Sequence, residues 1–303
     1  MILASARALL AGVVDYAGLF PPAALSMEEA AAEYARWRRA EEAWMLGRFV
    51  LPAARLAELT GVARSHLPER GATEPWRLSA ILGADVRGGS ALVDSFNLEH
   101  AGRAVVDMAE VKAGSRGEAE EALEGLPAVT AFVELPLDRD LEALLAVLRS
   151  RGARAKVRTG GVVPEAIPSP SRLASFLSAA AAAGVPFKAT AGLHHALRAE
   201  RALTDEPGAR RAVMHGFVNV FTAAALAWTG ASAGEVEAVL GEERGDAFGF
   251  EPDALRWRGR RVATAALAAA RRDFALSFGS CSFAEPVADL VALGVPVRRR
   301  GAS

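Results

Sequence analysis

Residues 153–192 have the sequence ARAKVRTGGVVPEAIPSPSRLASFLSAAAAAGVPFKATAG. Two short apolar runs, each carrying one lysine, flank an alanine- and leucine-rich stretch of helical character. This order is typical of two parallel strands joined by a helix. The same alternation continues on both sides of the segment and indicates an α/β fold built on a parallel sheet.

Eight strand candidates follow from this alternation. They are residues 13–20, 44–51, 78–82, 104–112, 129–135, 153–158, 185–190 and 274–280. Ser26 and Asp138 are expected to cap the helices that follow the first and the fifth strand. Eight strands in this order, in a chain of 303 residues, predict a single-domain (β/α)8 TIM barrel over residues 1–303, because such barrels take about 250 residues plus insertions.

The additional length lies between the seventh and the eighth strand. Residues 208–272 are mostly helical in character and predict a helical insertion or lid, with a turn or short hairpin at FGFEPDALRWRG (248–259). Because an insertion after a strand emerges at the carboxyl end of that strand, we expect it over or beside the barrel mouth. In the alternative interpretation, residues 215–221 form the eighth strand and the last apolar run is accessory.

Composition excludes several classes of partner. A formal net charge of −1 with scattered arginines favours neither a nucleic acid nor a membrane surface. The apolar start lacks the basic residues and cleavage pattern of a secretory signal, and the longest apolar run is too short to span a bilayer. The lone Cys281 cannot form a disulfide within the chain, which fits a reducing compartment. We expect a cytoplasmic protein that acts on a small carbonyl or anionic molecule, with homo-oligomerisation left open.

Lysine is scarce in this chain, and its few positions are informative. The only lysines are Lys112, Lys156 and Lys188, whereas arginine supplies the remaining basic residues. On a solvated surface the two residues are nearly interchangeable, but arginine cannot replace an amine that must lose its proton. The three lysines are therefore candidates for chemistry, with survival by chance as the alternative.

Lys156 and Lys188 lie near the carboxyl ends of the sixth and seventh strands, where barrel active sites are found. Because adjacent strands are about 4.8 Å apart, inward side chains would bring the two ammonium groups together. Like charge and desolvation would favour a neutral amine, which can form a Schiff base with a carbonyl substrate. In the alternative interpretation, one or both lysines pair with carboxylates.

Two carboxylates accompany these lysines in the predicted barrel. Asp107 lies among apolar residues of the fourth strand, as an inward carboxylate would, and it either relays protons or forms a salt bridge with a lysine. Glu134, at the end of the fifth strand, is the second candidate.

Two loops have the composition of anion-binding sites, since glycine lets backbone amides approach a ligand and hydroxyls donate to it. The candidate residues are Thr159, Gly160 and Gly161 after the sixth strand, and Gly279, Ser280 and Ser282 after the eighth. Arg158 could add a bidentate contact to the same anion. Ordinary tight turns are the alternative.

His194 and His195 follow the seventh strand at the same rim, where they could bind substrate or transfer protons. They could also form a metal site with His215, Glu110 and Glu134, but no spacing such as HExxH is present. We therefore predict no metal and no cofactor. Cys281 has no histidine at a recognised spacing, and we interpret it as a buried or anion-loop thiol rather than a nucleophile.

Four segments resemble the deoxyribose-phosphate aldolase family. KVRTGG (156–161) resembles the KxSTG strand of that family, KATAG (188–192) its KxxGG strand, VVDMAEV (105–111) its acidic strand and SFGSCS (277–282) its FGxSS strand. The resemblance covers residues 104–192 and 274–294. It implies a class I aldolase barrel, with Lys156 as the Schiff-base lysine, Lys188 lowering its pKa and Asp107 in the proton relay. Arg158 and Leu193 replace small residues of the family pattern.

Three functions remain open at this point. The leading hypothesis is an aldolase-type lyase that cleaves a C–C bond reversibly through a Schiff base, on a small carbonyl substrate that is phosphorylated or not. The alternative is a cofactor-independent isomerase, in which Arg158 and the lysines bind an anion while His194 or His195 moves protons. The third is a metabolite-binding barrel without catalysis.

Overall fold

The computed structural model describes residues 2–69, 74–204 and 206–298, and its centre is a closed barrel. The strands are β1 (Val14–Tyr16), β2 (Leu46–Pro52), β3 (Trp76–Ile81), β4 (Ala104–Lys112), β5 (Thr130–Glu134), β6 (Arg154–Arg158), β7 (Phe187–Thr190), β8 (Ala199–Ala202), β9 (Arg211–Met214), β10 (Phe248–Phe250), β11 (Ala254–Trp257), β12 (Arg260–Ala263) and β13 (Ala275–Ser280). Strands β1 to β7 and β13 are all parallel, and β13 closes the ring between β7 and β1. The predicted (β/α)8 TIM barrel is confirmed.

Helices alternate with the barrel strands along the chain. They are α1 (Ala4–Leu10), α2 (Met27–Trp37), α3 (Leu56–Val62), α4 (Val86–Glu99), α5 (Arg116–Glu124), α6 (Leu141–Ser150), α7 (Pro170–Ala183), α8 (Phe217–Trp228), α9 (Ala233–Leu240), α10 (Thr264–Asp273) and α11 (Ala284–Ala292). Within the described ranges, none of these helices has the length and apolar character needed to cross a membrane.

The helix boundaries confirm one predicted cap and correct the other. Ser26 caps α2 and forms a capping box with Glu29, as its side chain accepts from the Glu29 amide and Glu29 accepts in return. The prediction that Asp138 caps the helix after β5 is wrong. That helix begins two residues later than expected, because Asp140, in a left-handed conformation with φ 52°, turns the chain into α6.

Strand β1 is much shorter than the predicted run of residues 13–20. Phe20 donates its amide to the Ala17 carbonyl, and Leu25 donates to the Gly18 carbonyl. The amide of Ala17 still donates to the Ser280 carbonyl of β13, and the chain folds into a turn directly after it.

The segment between β7 and β13 is mixed rather than mostly helical. It contains α8, α9 and α10, the hairpin of β8 with β9, and an antiparallel sheet of β10, β11 and β12. The hairpin expected at residues 248–259 is present in this sheet, whereas β8 and β9 were not predicted. The alternative eighth strand at residues 215–221 is wrong, because residues 217–221 belong to α8.

The two small sheets lie in different places. Leu203 and Met214, at the ends of the β8–β9 hairpin, reach the cavity at the carboxyl ends of the barrel strands. The three-stranded sheet packs instead on α1 and α10 in the outer helical layer. The hairpin therefore borders the barrel mouth together with Ala191, Gly192 and His194 directly after β7, and a lid function for it stays a prediction.

Strand β13 shows how alternation separates the core from the site. The ring of Phe278 points outward and packs on α8, with ring centroids 5.1 Å from Phe217 and 5.8 Å from Phe221. Ser277, one residue earlier, points to the opposite face, into the barrel, where its hydroxyl bonds Asp15. Apolar packing outside the sheet thus fixes which side chains enter the barrel.

Candidate active site

A cavity of about 510 Å³ opens at the carboxyl ends of the barrel strands. Six of its lining residues are formally charged, namely Glu110, Lys112, Glu134, Lys156, Arg158 and Lys188. All three lysines of the chain are among them. Active sites of TIM barrels occur at this end, so the cavity is the candidate active site.

Glu110 on β4 joins the two central lysines. Its Oε2 lies 2.8 Å from the Nζ of Lys156, and its Oε1 lies 2.7 Å from the Nζ of Lys188. The hydroxyl of Ser79 donates to Oε1 over 2.6 Å. Glu110 is only 2% exposed, so one buried carboxylate holds two ammonium groups and is itself held by a hydroxyl.

Each lysine has a second carboxylate on its outer side. Asp15 on β1 lies 2.7 Å from the Nζ of Lys188 and also accepts from the Ser277 hydroxyl and the Arg48 amide. Glu134 on β5 lies 3.0 Å from the Nζ of Lys156. The cluster of Asp15, Glu110, Glu134, Lys156 and Lys188, here called the lysine cluster, therefore alternates positive and negative groups.

Strand register explains why the two lysines meet. Lys156 and Lys188 are direct partners in the parallel ladder of β6 and β7, and both side chains are buried inside the barrel. Since both bond the same carboxylate, their nitrogens lie within about 8 Å, as expected for neighbouring strands. Of the two interpretations open from the sequence, the structure has the lysines paired with carboxylates.

The charges of the cluster stabilise one another. Burial alone would lower the pKa of Lys188, but Asp15 and Glu110 outweigh it and raise that pKa above its usual value. Burial would raise the pKa of Glu110, but the two ammonium groups hold it well below the usual range. Glu134 is shifted in the same downward direction, against burial, by Lys156 and Arg158. Lys188 is therefore an ammonium ion and both glutamates are carboxylates at neutral pH.

Asp107 is not part of the lysine cluster, which corrects the predicted convergence. It forms ion pairs with Arg48 and Arg77, each with a shortest distance of 2.6 Å, and its side chain is 25% exposed. Burial opposes its ionisation, but the two guanidinium groups outweigh that effect and lower its pKa. Asp107 has the arrangement of a structural salt bridge rather than of a proton relay beside the lysines.

The position expected for Asp107 is occupied by Glu110. The pairing of β3 with β4 shifts register between Leu78 and Ser79, whose partners are Val106 and Met108. This irregularity lies at Asp107, so the odd spacing of Asp107 and Glu110 does not place them on opposite faces. The spacing of Glu110 and Lys112 was the usable signal, because residues two apart share a face. Asp15 was not singled out from the sequence at all.

The hydroxyl groups of the predicted anion-binding loops form hydrogen bonds within the protein. Thr159 donates to the carbonyls of Thr190 and Ala191, and Ser280 donates to the Ser282 carbonyl over 2.6 Å. The Ser282 hydroxyl accepts from the Glu285 amide at the start of α11. These loops are therefore closed on themselves, as the tight-turn interpretation expects, and only Gly161 and Gly279 of the predicted residues in them line the cavity.

Gly160 has a packing role in the first of these loops. A Cβ atom there would lie 3.0 Å from the Cα of Gly192, where β6 and β7 leave the barrel side by side. Gly192 itself has φ +76°, which favours glycine. Both glycines are explained by the close approach of two backbones beside the lysine cluster.

The two predicted histidines have different surroundings. His194 lines the cavity, and its Nδ1 lies 3.2 Å from the Ser280 hydroxyl and 3.5 Å from the Cys281 thiol. His195 bonds Asp289 of α11 over 3.1 Å and does not line this cavity. Of the two histidines, His194 is therefore the one that lines the cavity, and Cys281 has a histidine neighbour that the sequence spacing did not indicate.

Arg158 lies at the rim, with half of its side chain exposed and its Nε 3.3 Å from Glu134. It keeps donors free for a ligand above Lys156, as guanidinium groups carry five N–H bonds. The metal site conceived from His215, Glu110 and Glu134 is not assembled, because His215 bonds the Pro168 carbonyl instead. Across residues 2–69, 74–204 and 206–298, no group of three or more His, Cys, Asp or Glu side chains is arranged to hold a metal ion.

Comparison with known proteins adds no assignment. No protein-family model matches this chain, and no curated protein matches it either. The geometry of the lysine cluster and of the cavity above it therefore carries the functional argument.

Proposed function

We propose that this protein is an aldolase-type lyase, which cleaves a C–C bond reversibly through a Schiff base on Lys156. The observation that carries the proposal is the shared carboxylate of Glu110, which holds Lys156 and Lys188 side by side on the floor of a ligand-sized cavity. A buried amine at the floor of such a cavity is the arrangement that covalent carbonyl chemistry needs.

Lys156 is the better nucleophile of the two. Lys188 is enclosed by two buried carboxylates whose other bonds are to buried or backbone groups, and its pKa is raised. Both carboxylate partners of Lys156 also pair with another cation, Glu110 with Lys188 and Glu134 with Arg158 at the rim, whereas Asp15 pairs with Lys188 and with no other ammonium or guanidinium group among the described residues. Lys188 thus supplies a fixed positive charge, while Lys156 is the less enclosed of the two side chains.

The charge balance of the cluster favours an iminium ion. Lys156 first loses its proton, with Glu134 at 3.0 Å as a transient acceptor, and the free amine adds to the substrate carbonyl. Loss of water then leaves an iminium nitrogen that carries the same positive charge as the original ammonium. The carboxylates of Glu110 and Glu134 that stabilise the ammonium at 2.8 and 3.0 Å therefore also stabilise the iminium.

Bond cleavage follows from the iminium as an electron sink. A base removes the proton from the hydroxyl β to the iminium carbon, the C–C bond breaks, and its electron pair moves into the iminium to give an enamine. An aldehyde leaves, the enamine takes up a proton at carbon, and water hydrolyses the new iminium to release a carbonyl product and Lys156. Glu134, next to the Lys156 nitrogen and 10% exposed, is placed for these proton transfers.

Reductive trapping tests this proposal. Incubation with acetaldehyde or acetone and borohydride is expected to add mass at Lys156, which peptide mapping can locate because the chain has only three lysines. Lys156→Arg should abolish the adduct, since a guanidinium cannot form the imine. Lys188→Met should weaken it, because Glu110 would then hold the Lys156 ammonium alone. Labelling spread evenly over all three lysines would refute the proposal.

The position of His194 on the cavity wall supports the isomerase as the second candidate function. An isomerase that uses His194 for proton transfer predicts no adduct, together with loss of turnover in His194→Ala. A barrel that only binds a metabolite predicts neither result. The same set of variants therefore separates the three functions.

A further inference from the structure

We propose that the substrate bears a carboxylate, which Lys112 binds at the rim of the cavity, and an apolar portion that lies against the apolar part of the cavity wall. This inference specifies the substrate class of the proposed lyase. It rests on the proposed function only in assuming that the substrate has a carbonyl group that reacts with Lys156. The binding of such a molecule does not require imine chemistry.

Lys112 is placed directly above the lysine cluster. It lies two residues after Glu110 on β4, so both side chains occupy the same face of the strand, one layer apart. Its side chain is exposed and lines the cavity. Within the described part of the chain no carboxylate forms an ion pair with it, so its ammonium is open to a ligand.

The charges around the cavity leave a positive excess. Four of the lining side chains are cationic and two, Glu110 and Glu134, are anionic. Asp15 beneath the floor neutralises one further charge through Lys188. One positive charge remains, and Lys112 is the cation without a carboxylate partner in the described part. An anionic substrate group would supply the missing charge.

The distribution of lysine supports a role for Lys112. Arginine supplies every other basic position of the chain, yet all three lysines border one cavity. Surface positions tolerate either residue, so random survival of lysine gives no reason for this clustering. Lys156 and Lys188 belong to the floor, and Lys112 completes the set at the rim.

A carboxylate fits this rim better than a phosphate does. A phosphate site uses several hydroxyl or backbone donors and a helix N-terminus, but the hydroxyls of Thr159 and Ser280 are bonded internally. At the start of α11, Ser282 already accepts from an amide and Glu285 brings negative charge. One ammonium, with the guanidinium of Arg158 lining the same cavity, matches the charge and size of a carboxylate.

Much of the remaining lining is apolar, and the cavity is larger than a short carbonyl compound needs. Side chains from β3, the turn after β1 and the β8–β9 hairpin form this wall, namely Phe20, Pro22, Ile81, Leu82, Leu203 and Met214. A volume of about 510 Å³ lies within the range of about 300–1,000 Å³ that holds drug-sized ligands. The substrate class is therefore an oxo acid with an apolar chain or ring.

Calorimetric titration with two matched probes tests the inference. 4-Phenylbutanoate carries the carboxylate and the ring, whereas 4-phenylbutan-1-ol lacks the charge, and neither can form an imine. The acid should bind wild-type protein at least about tenfold more tightly than the alcohol. Lys112→Met should remove this advantage and leave the affinity for the alcohol unchanged. Arg272→Met, at the carboxyl end of the distant helix α10, removes one charge elsewhere and should change neither affinity.

Three results would overturn the inference. Equal affinities of acid and alcohol for the wild-type protein would refute recognition of a carboxylate. An unchanged affinity for the acid in Lys112→Met would refute the role of Lys112 in binding it. Displacement of the acid by equimolar inorganic phosphate would show that the rim of the cavity binds phosphate rather than a carboxylate. Intact, Lys112-dependent acid binding without any borohydride adduct at Lys156 would refute only the lyase.

Discussion

Glu110→Gln is the substitution that reaches furthest into the candidate site. The side chain is 2% exposed and accepts from Lys156, Lys188 and Ser79 at 2.8, 2.7 and 2.6 Å. Glutamine has nearly the same shape but no charge, and its amide nitrogen cannot accept from an ammonium. The change therefore removes the shared counter-ion of two buried cations while it perturbs packing little.

The expected loss of stability follows from these contacts. Breaking a buried ion pair costs about 3–5 kcal/mol, because the remaining charge stays buried without compensation. Lys188 retains Asp15 and Lys156 retains Glu134, so neither ammonium is left alone. We therefore expect the lower end of that range, about 3 kcal/mol, in the free energy of unfolding at neutral pH.

The loss should depend on pH in a defined direction. The pKa of folded Glu110 lies below its ordinary value, so its stabilising effect is present above about pH 4.3, the unfolded value, and disappears as the pH falls through the folded value. Lys188 has a raised pKa, so its effect is present below about pH 10.4 and disappears at higher pH. The difference between wild type and Glu110→Gln should be constant from about pH 5 to 9 and shrink in acid.

Urea unfolding followed by circular dichroism at pH 7 and at pH 3.5 measures both effects. The midpoint should fall for Glu110→Gln at pH 7, and the gap to wild type should narrow at pH 3.5. A gap within about 0.5 kcal/mol at pH 7, typical of a surface substitution, would refute the account of Glu110 as a shared counter-ion. A gap of equal size at both pH values would refute the electrostatic origin of the effect.

Two further substitutions test the distinction between the site and its scaffold. Asp107→Asn should lower the free energy of unfolding by about 1 kcal/mol, since its ion pairs with Arg48 and Arg77 are partly exposed. Borohydride labelling of Lys156 should be unchanged. Loss of labelling in a folded variant would show that Asp107 takes part in the reaction. Phe278→Ala should cost about 3–5 kcal/mol in urea unfolding, because it empties the contact of β13 with Phe217; a cost under about 1 kcal/mol would mean that this packing does not hold the strand.

The fold could be predicted from the sequence because it depends on local alternation. Residues 153–192 contain the pattern of a strand, a helix and a second strand. Repetition of this pattern along the chain predicts a closed barrel. The hairpin of β8 and β9 escaped prediction because its strands have four residues each and mixed polar composition. Charged residues interrupt the apolar runs by which the barrel strands were recognised.

The candidate site was predicted in part, for equally physical reasons. Lys156 and Lys188 were found because lysine is rare here and both occupy ends of adjacent strands. Asp107 was chosen over Glu110 because of its apolar neighbours and the resemblance of residues 105–111 to an acidic strand, and neither signal shows that Arg48 and Arg77 pair with it. The contact of His194 with Cys281 joins residues 87 positions apart, and only the closure of the barrel brings them together.

The crystal structure of a reduced adduct tests the central claim most directly. Crystals treated with 4-phenyl-2-oxobutanoate and cyanoborohydride should show a covalent bond from the Nζ of Lys156 to the former carbonyl carbon. The account predicts that Glu110 still bonds Lys188 and that the ligand carboxylate lies within hydrogen-bond distance of Lys112. A covalent bond to Lys188 instead, or a ligand bound in the cavity with Lys156 unmodified, would contradict it.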